Sequence, residues 1–226
     1  MFILRFGCKT LENLITTAFM NNTFNKGLSG LYGNFNDGSS SVARMLPLAF
    51  YAHIKEGAEF FSTFTEIGEM SNMTHQNSRI VMIDGIYAMI AANLMDGFSL
   101  KESIKNSLEH ELSYWGDVEY DKLPRLFKDE FAALPETKIR STEDIEVTIE
   151  AVMWCLLNTT DYKSAVLKAV NLGGDTDNIA AFTGGLAGLA YGEENIPKEW
   201  LNVLRKREYL ETIAENFSTA LRNIVI

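Results

Sequence analysis

Apolar residues in this chain recur mostly at spacings of three and four, and only four prolines, at positions 47, 124, 135 and 197, interrupt them. That period puts side chains on one side of a helix, whereas a half-buried strand needs a spacing of two, so the pattern predicts an all-α fold. Ile145, Ile149, Val152, Met153 and Leu156 form one such stripe, and Ser141 stands three residues before Asp144 in the spacing of a capping box. Ser99 and Glu102 repeat the device ahead of Ile104 and Leu108. Asp161 to Leu172 reads as a helix closed by Gly173 and Gly174, since glycine accepts the left-handed backbone of a helix end. Pro197 suits a first helical turn. Beyond it, Tyr209, Leu210, Ile213, Ala214, Phe217 and Leu221 make a final amphipathic helix, expected to close the core.

Two helices carry a face of small residues. One has Gly85, Ala88, Ala91 and Ala92; the other has Ala180, Ala181, Gly184, Gly185 and Gly188. Glycine inside a helix costs about 1 kcal/mol relative to alanine, so such a run calls for close helix approach, and these two are the expected central pair. Between Asn106 and Arg140 the period weakens, and "GDVEYDKLPRLF" and "ALPETK" read as loops around a short helix. Phe60, Phe61 and Phe64 are read as core. With 226 residues, 46% of them hydrophobic, one domain over the whole chain suffices to bury a substantial core.

Thirty Asp and Glu against 20 Lys and Arg give a formal charge of -10. Such a chain has no general attraction for nucleic acid or an anionic membrane, and no local basic patch stands out. Cys8 and Cys155 are the only cysteines and lie far apart, which fits two thiols in a reducing compartment, so the cytoplasm is the expected location. The opening "MFILRFGCKTLENLI" lacks the basic leader and cleavage site of a signal peptide. The apolar run from Gly85 to Met95 is shorter than the about 20 residues of a membrane span.

Chemistry concentrates in "VNLGGDTDNIAAFTGG", from Val170 to Gly185. Asp175 opens a helix there, where a carboxylate can accept backbone N–H bonds and is favoured by the helix dipole by roughly 0.3 to 1 kcal/mol. Capping accounts for Asp175 but less well for Asp177, a second charge in the same turn. Asp-Thr-Asp also gathers three oxygen-bearing groups of the kind that hold Mg²⁺. From spacing, capping and cation binding both remain open.

The run "VNLGGDTDNIAAFTGGLAGLAYG" closely resembles the C-terminal signature of the ADP-ribosylglycohydrolase family, which includes the dinitrogenase reductase-activating glycohydrolases. Upstream, "TIEAVMWCLLNTTDYKSAVLKA" resembles the helix preceding that signature, with Trp154 and the Glu150-Ala151 pair in register. "NDGSSSVARMLPLAFY" looks like the family's ligand loop ending in Met-Arg and an apolar-Pro segment, and "MTHQNSR" looks like its Thr-His segment. These matches run from about Asn36 to Gly192. The resemblance implies an all-α domain holding two Mg²⁺ ions in a cleft and hydrolysing the glycosidic bond at the distal ribose of ADP-ribose. It puts Asp175, Asp177 and Asn178 on metal-ligand positions, Ser39, Ser40 and Ser41 in the loop that receives ribose or phosphates, and His75 on a substrate-contacting position. The implied partner is ADP-ribose or an ADP-ribosylated substrate.

The departures carry expectations of their own. The family's Gly-Asp-Ala-Leu-Gly helix with its catalytic glutamate, and its Thr-Asp-Asp-Thr run, have no counterpart, and Met1 aligns after the point where both would end. Asn178 replaces the usual threonine, Ser39-Ser40-Ser41 replaces Asn-Gly-Ser, Ala43 replaces a methionine, and Glu143-Asp144 stands where a Gly-Tyr pair often precedes the Glu-Ala helix. The chain is therefore expected to be an N-terminally truncated or divergent member with the rear half of a two-metal site and no identifiable catalytic residue. Either the missing half arrives on another polypeptide, or the chain is a noncatalytic ADP-ribose or nucleotide-binding module or an inactive remnant. His53, in "FYAHIKEG", reads as an ordinary helix residue. His110 lacks the second histidine of a zinc helix, and neither cysteine has a nearby histidine that would suit a thiol nucleophile.

Overall fold

The computed structural model describes residues 31–32, 38–56, 64–115, 125–126 and 128–224. Cys8, the positions just ahead of the serine loop at 33–37, Phe60, Phe61 and residues 116–124 lie outside the described residues. The helices are α1 (Met45–Glu56), α2 (Phe64–Asn72), α3 (Ser78–Met95), α4 (Leu100–Trp115), α5 (Ile145–Leu157), α6 (Tyr162–Asn171), α7 (Thr176–Tyr191), α8 (Lys198–Val203) and α9 (Arg207–Arg222). Two-residue strands β1 (Leu31–Tyr32) and β2 (His75–Gln76) pair in parallel, Leu31 opposite His75. The all-α expectation holds apart from that small pairing, which anchors the backbone of His75.

The core forms around α3, which is buried on nearly every side from Ile80 to Leu94, including the tightly packed Ile83, Ile86 and Ile90. A helix that is apolar all round belongs at the centre of a domain. By length and composition α3 could cross a membrane, but its apolar surface is taken up by α1, α2, α4 and α7. Asn77 starts it, accepting the Arg79 N–H at 3.0 Å. The capping box at α4 forms as read: Ser99 N–H donates to Glu102 Oε2 at 3.0 Å, and Glu102 N–H donates to Ser99 Oγ at 3.4 Å. Past Asn106, α4 runs on to Trp115, further than the fading apolar period suggested, because Ser107 and Glu111 are buried polar members of its inner face.

The small residues of α7 are used on two sides. At Gly185 an added Cβ would lie 2.7 Å from Tyr87 Oη and 3.2 Å from a Leu46 methyl, and at Gly184 it would meet Tyr162 and Val166 of α6. Helices α3 and α7 do touch, with Tyr87 Oη donating to the Phe182 carbonyl at 3.1 Å and the two rings edge to face, yet α7 lies mainly along α6. The central-pair expectation is right about the close approach but omits this second neighbour.

Two further expectations are corrected. At α5 the cap is Asp144, whose Oδ1 accepts the N–H groups of Glu146 and Val147 at 2.9 and 3.2 Å; Ser141 instead donates to the Gly173 carbonyl at 2.5 Å. Helix α9 is amphipathic but does not close the core. Tyr209, Leu210 and Ile213 are 59%, 40% and 47% exposed, and only Leu221 of its apolar stripe is buried. Its last two turns flank a groove of about 520 Å³ against Phe50 and Ile54 of α1.

Candidate functional site

The serine loop folds as a 3-10 helix, Ser39–Arg44, leading directly into α1. Its entry is fixed from outside by an antiparallel bridge between Gly38 and Asp144 and by Ser39 N–H donating to the Glu143 carbonyl at 3.2 Å. Ser39 and Ser41 are buried and Ser40 is half-buried. Ser41 Oγ donates to Asp84 Oδ1 at 3.0 Å, tying the loop to the middle of α3. Ser71, also fully buried, faces the same carboxylate without closing a hydrogen bond of good geometry.

Arg44 turns inward, donating from Nη2 to the Met70 carbonyl at 3.2 Å and to Thr74 Oγ1 at 2.6 Å; the threonine oxygen is in turn 2.6 Å from His75 Nδ1. His75 is 1% exposed, and its ring stands behind Gly38, where an added Cβ would come within 4.0 Å of Nε2. Burial first, and the nearby Arg44 charge second, hold the imidazole down at about 4, so it is neutral at physiological pH. Nε2 makes no hydrogen bond, and neither does Ser39 Oγ. Two buried polar atoms thus lie without partners beside one turn, a costly arrangement unless something polar meets them.

Across the 141–144 segment lies the aspartate turn. Gly173 and Gly174 have φ of +76° and +64°, the left-handed backbone that glycine adopts freely, and a side chain on Gly174 would run into the Ser141 carbonyl. Asp175 occupies the cap position of α7 but caps nothing: both its oxygens accept from Asn178 Nδ2, at 3.0 and 3.1 Å. The capping reading, sufficient for Asp175 on spacing, therefore fails. Burial raises the proton affinity of Asp175; the Asn178 amide lowers it, and the charges of Asp177 and Glu143 raise it again. Glu143 thus joins the two aspartates as a third acidic group, at the segment that also holds Ser39.

The 141–144 segment therefore touches both groups of residues singled out from the sequence: Gly38 and Ser39, at the head of the loop with Ser40 and Ser41 and next to His75, bond to it, and so does Gly173, just ahead of Asp175, Asp177 and Asn178. Among the described residues, no three His, Cys, Asp or Glu side chains come close enough together to hold a metal ion. The aspartate pair still fits part of a Mg²⁺ shell, because that ion is commonly held by one or two carboxylates, with water and substrate oxygens completing the octahedron. Sequence reasoning missed Asp84, fully buried and pushed up by burial to about 7 against the pull of Ser71, Ser41 and Arg44. Its signal was a lone carboxylate inside an apolar helical run, which must find a partner or lose its charge. His53 instead lies 3.4 Å from Asp96, away from these groups.

The family model described as ADP-ribosylglycohydrolase matches residues 7–224. The chain is similar to the "ADP-ribosylarginine hydrolase Tri1" of Serratia proteamaculans strain 568, 43% identical over 86 residues, 38% of this chain and 24% of that protein. It is also similar to the "ADP-ribosylarginine hydrolase Tri1" of Pseudomonas putida strain GB-1, 26% identical over 84% of this chain and 48% of that one. With the "ADP-ribosyl-[dinitrogen reductase] glycohydrolase" of Rhodospirillum rubrum it shares 39% identity over 30% of this chain and 23% of that protein. The chain thus spans about half the length of these relatives or less. A solved "ADP-ribosylglycohydrolase-related protein complex" has the same fold, with a TM-score of 0.70 at 22% identity over 96% of this chain and 69% of that one.

Proposed function

The chain belongs to the ADP-ribosylglycohydrolase family, and from that premise we propose that it binds ADP-ribose beside the serine loop and contributes to its hydrolytic release from a modified protein. The observation that carries this reading is the convergence of the serine loop, His75 and the Asp175–Asp177 turn on the 141–144 segment. Ser39 and His75 offer buried, unmatched polar atoms where oxygens of a ribose or phosphate would dock. Asp175 and Asp177, with Glu143 beside them, supply the negative charge that attracts a divalent cation. When bound, Mg²⁺ would contribute charge stabilisation of ribose oxygens and orientation of a water. In the overall reaction, water gives its hydroxyl to the anomeric carbon of the distal ribose and its proton to the departing acceptor. Asp175 and Asp177 hold the cation side in place, while the serine loop and His75 fix the nucleotide side, so that the reacting atoms meet in one orientation.

ADP-ribosylarginine is the acceptor linkage to try first, since two of the relatives bear that name. The test is release of free ADP-ribose from an arginine-modified protein incubated with the full chain, with Mg²⁺ and with chelator. Release that requires Mg²⁺ is the expected result; no release at high protein concentration removes the hydrolase reading. A second reading is a noncatalytic ADP-ribose-binding module, which needs only the buried polar atoms of Ser39 and His75. Calorimetry separates the two, because binding without turnover supports the module and absence of binding removes both.

A further inference from the structure

We infer that Arg44 and Thr74 lock His75 as a neutral imidazole with its proton on Nε2, making it a fixed hydrogen-bond donor aimed past Gly38 at a ligand oxygen. The inference rests on the proposed function only for the identity of that oxygen, which there belongs to ADP-ribose. A guanidinium only donates, so the contact from Arg44 Nη2 to Thr74 Oγ1 at 2.6 Å occupies a lone pair of the hydroxyl oxygen. Among its contacts, the hydroxyl proton then faces His75 Nδ1 at 2.6 Å and the Ser71 carbonyl at 3.4 Å. The shorter contact takes it, because hydroxyl bonds of good geometry lie near 2.7 Å and weaken with distance.

Charge points the same way. A cation bonded to the threonine oxygen polarises its O–H, making it a better donor and a poorer acceptor, which disfavours the alternative of Nδ1–H donating to that oxygen. With Nδ1 accepting, a neutral ring must carry its proton on Nε2. That atom is buried, makes no hydrogen bond, and lies beside Gly38, where an added Cβ would come within 4.0 Å of it. The site thus selects an acceptor, such as a hydroxyl, carbonyl or phosphate oxygen, and rejects a donor. Arg44 and Thr74 are positioning residues that act through His75.

The test reads the tautomer directly. Two-bond ¹H–¹⁵N spectra of the full chain at pH 7, with His75 assigned by its loss in His75→Gln, are expected to show Nε2 protonated and Nδ1 bare. A proton on Nδ1, or a doubly protonated ring, overturns the proposal. Thr74→Val, checked for folding by circular dichroism, is expected to mix the tautomers and weaken ADP-ribose binding by about fivefold to tenfold, the effect of one hydrogen bond. Thr74→Ser is expected to restore both. An unchanged tautomer in folded Thr74→Val overturns the relay. Should the wild type show the expected tautomer yet bind no ADP-ribose, the tautomer lock stands and the proposed function fails.

Discussion

Replacing Asp84 by asparagine tests the energetics of the serine loop's anchor. The carboxylate is fully buried on α3, accepts from Ser41 at 3.0 Å, and is pushed by burial from an ordinary value near 4 to about 7. A folded state that holds this proton more tightly than the unfolded chain is most stable below the unfolded value and weakens as pH rises toward the folded one. The difference is about three powers of ten in proton affinity, or about 4 kcal/mol; about 2 kcal/mol of it falls between pH 5 and 7, and about 3 kcal/mol between pH 5 and 8. That is a large share of the about 5–15 kcal/mol that holds a typical domain together. Asparagine has the same shape, can accept from Ser41, and brings an amide toward the Ser71 hydroxyl, with no charge to desolvate. Urea unfolding of wild type and Asp84→Asn at pH 5 and pH 8 measures the effect. The variant is expected to gain about 3 kcal/mol on wild type between the two pH values, which cancels every other titrating group. Parallel pH dependence in the two proteins, or a variant less stable than wild type at pH 8, would refute the account of Asp84 as a buried charge strained by desolvation.

Other outcomes follow from the same structure. Gly185→Ala pushes on Tyr87 Oη and Leu46; overpacking of about 1–3 kcal/mol outweighs the about 1 kcal/mol gained in helix propensity, and a lowered urea midpoint checks it. Asp175→Asn and Asp177→Asn are each expected to weaken Mg²⁺ binding by at least about tenfold, corresponding to the loss of one charged ligand; unchanged affinity in calorimetry would move the cation elsewhere. The thiol of Cys155 is buried and pushed up to about 12, so peptide-resolved alkylation at pH 8 should find it protected in the folded protein and modified only after unfolding. Tyr87→Phe removes the bond to the Phe182 carbonyl and should cost about 1 kcal/mol by the same urea measurement.

Features written in neighbouring residues were legible in the sequence. The Ser99–Glu102 box, the Gly173–Gly174 stop and the stripe of α5 depend on spacings of three and four along one helix or its end, so the chain states them locally. The motifs that resemble the family's likewise pointed to the family itself. Features that depend on what packs against a residue were not legible. Asp84 read as the edge of an apolar run, because only the approach of the serine loop makes it the anchor of Ser41. The apolar stripe of α9 suggested a core-closing helix, since periodicity states which face is apolar and not what meets it.

The sequence by itself determined the helical class, the helix ends set by local hydrogen bonding, and which residue types stand ready for chemistry. Tertiary structure alone decided that Ser41 meets Asp84, that the charge of Glu143 acts on Asp175, and that Arg44 reaches Thr74 beside His75. The physical reason is range: caps and periodicity act within a turn or two of chain, whereas desolvation and charge are set by neighbours that arrive from tens of residues away.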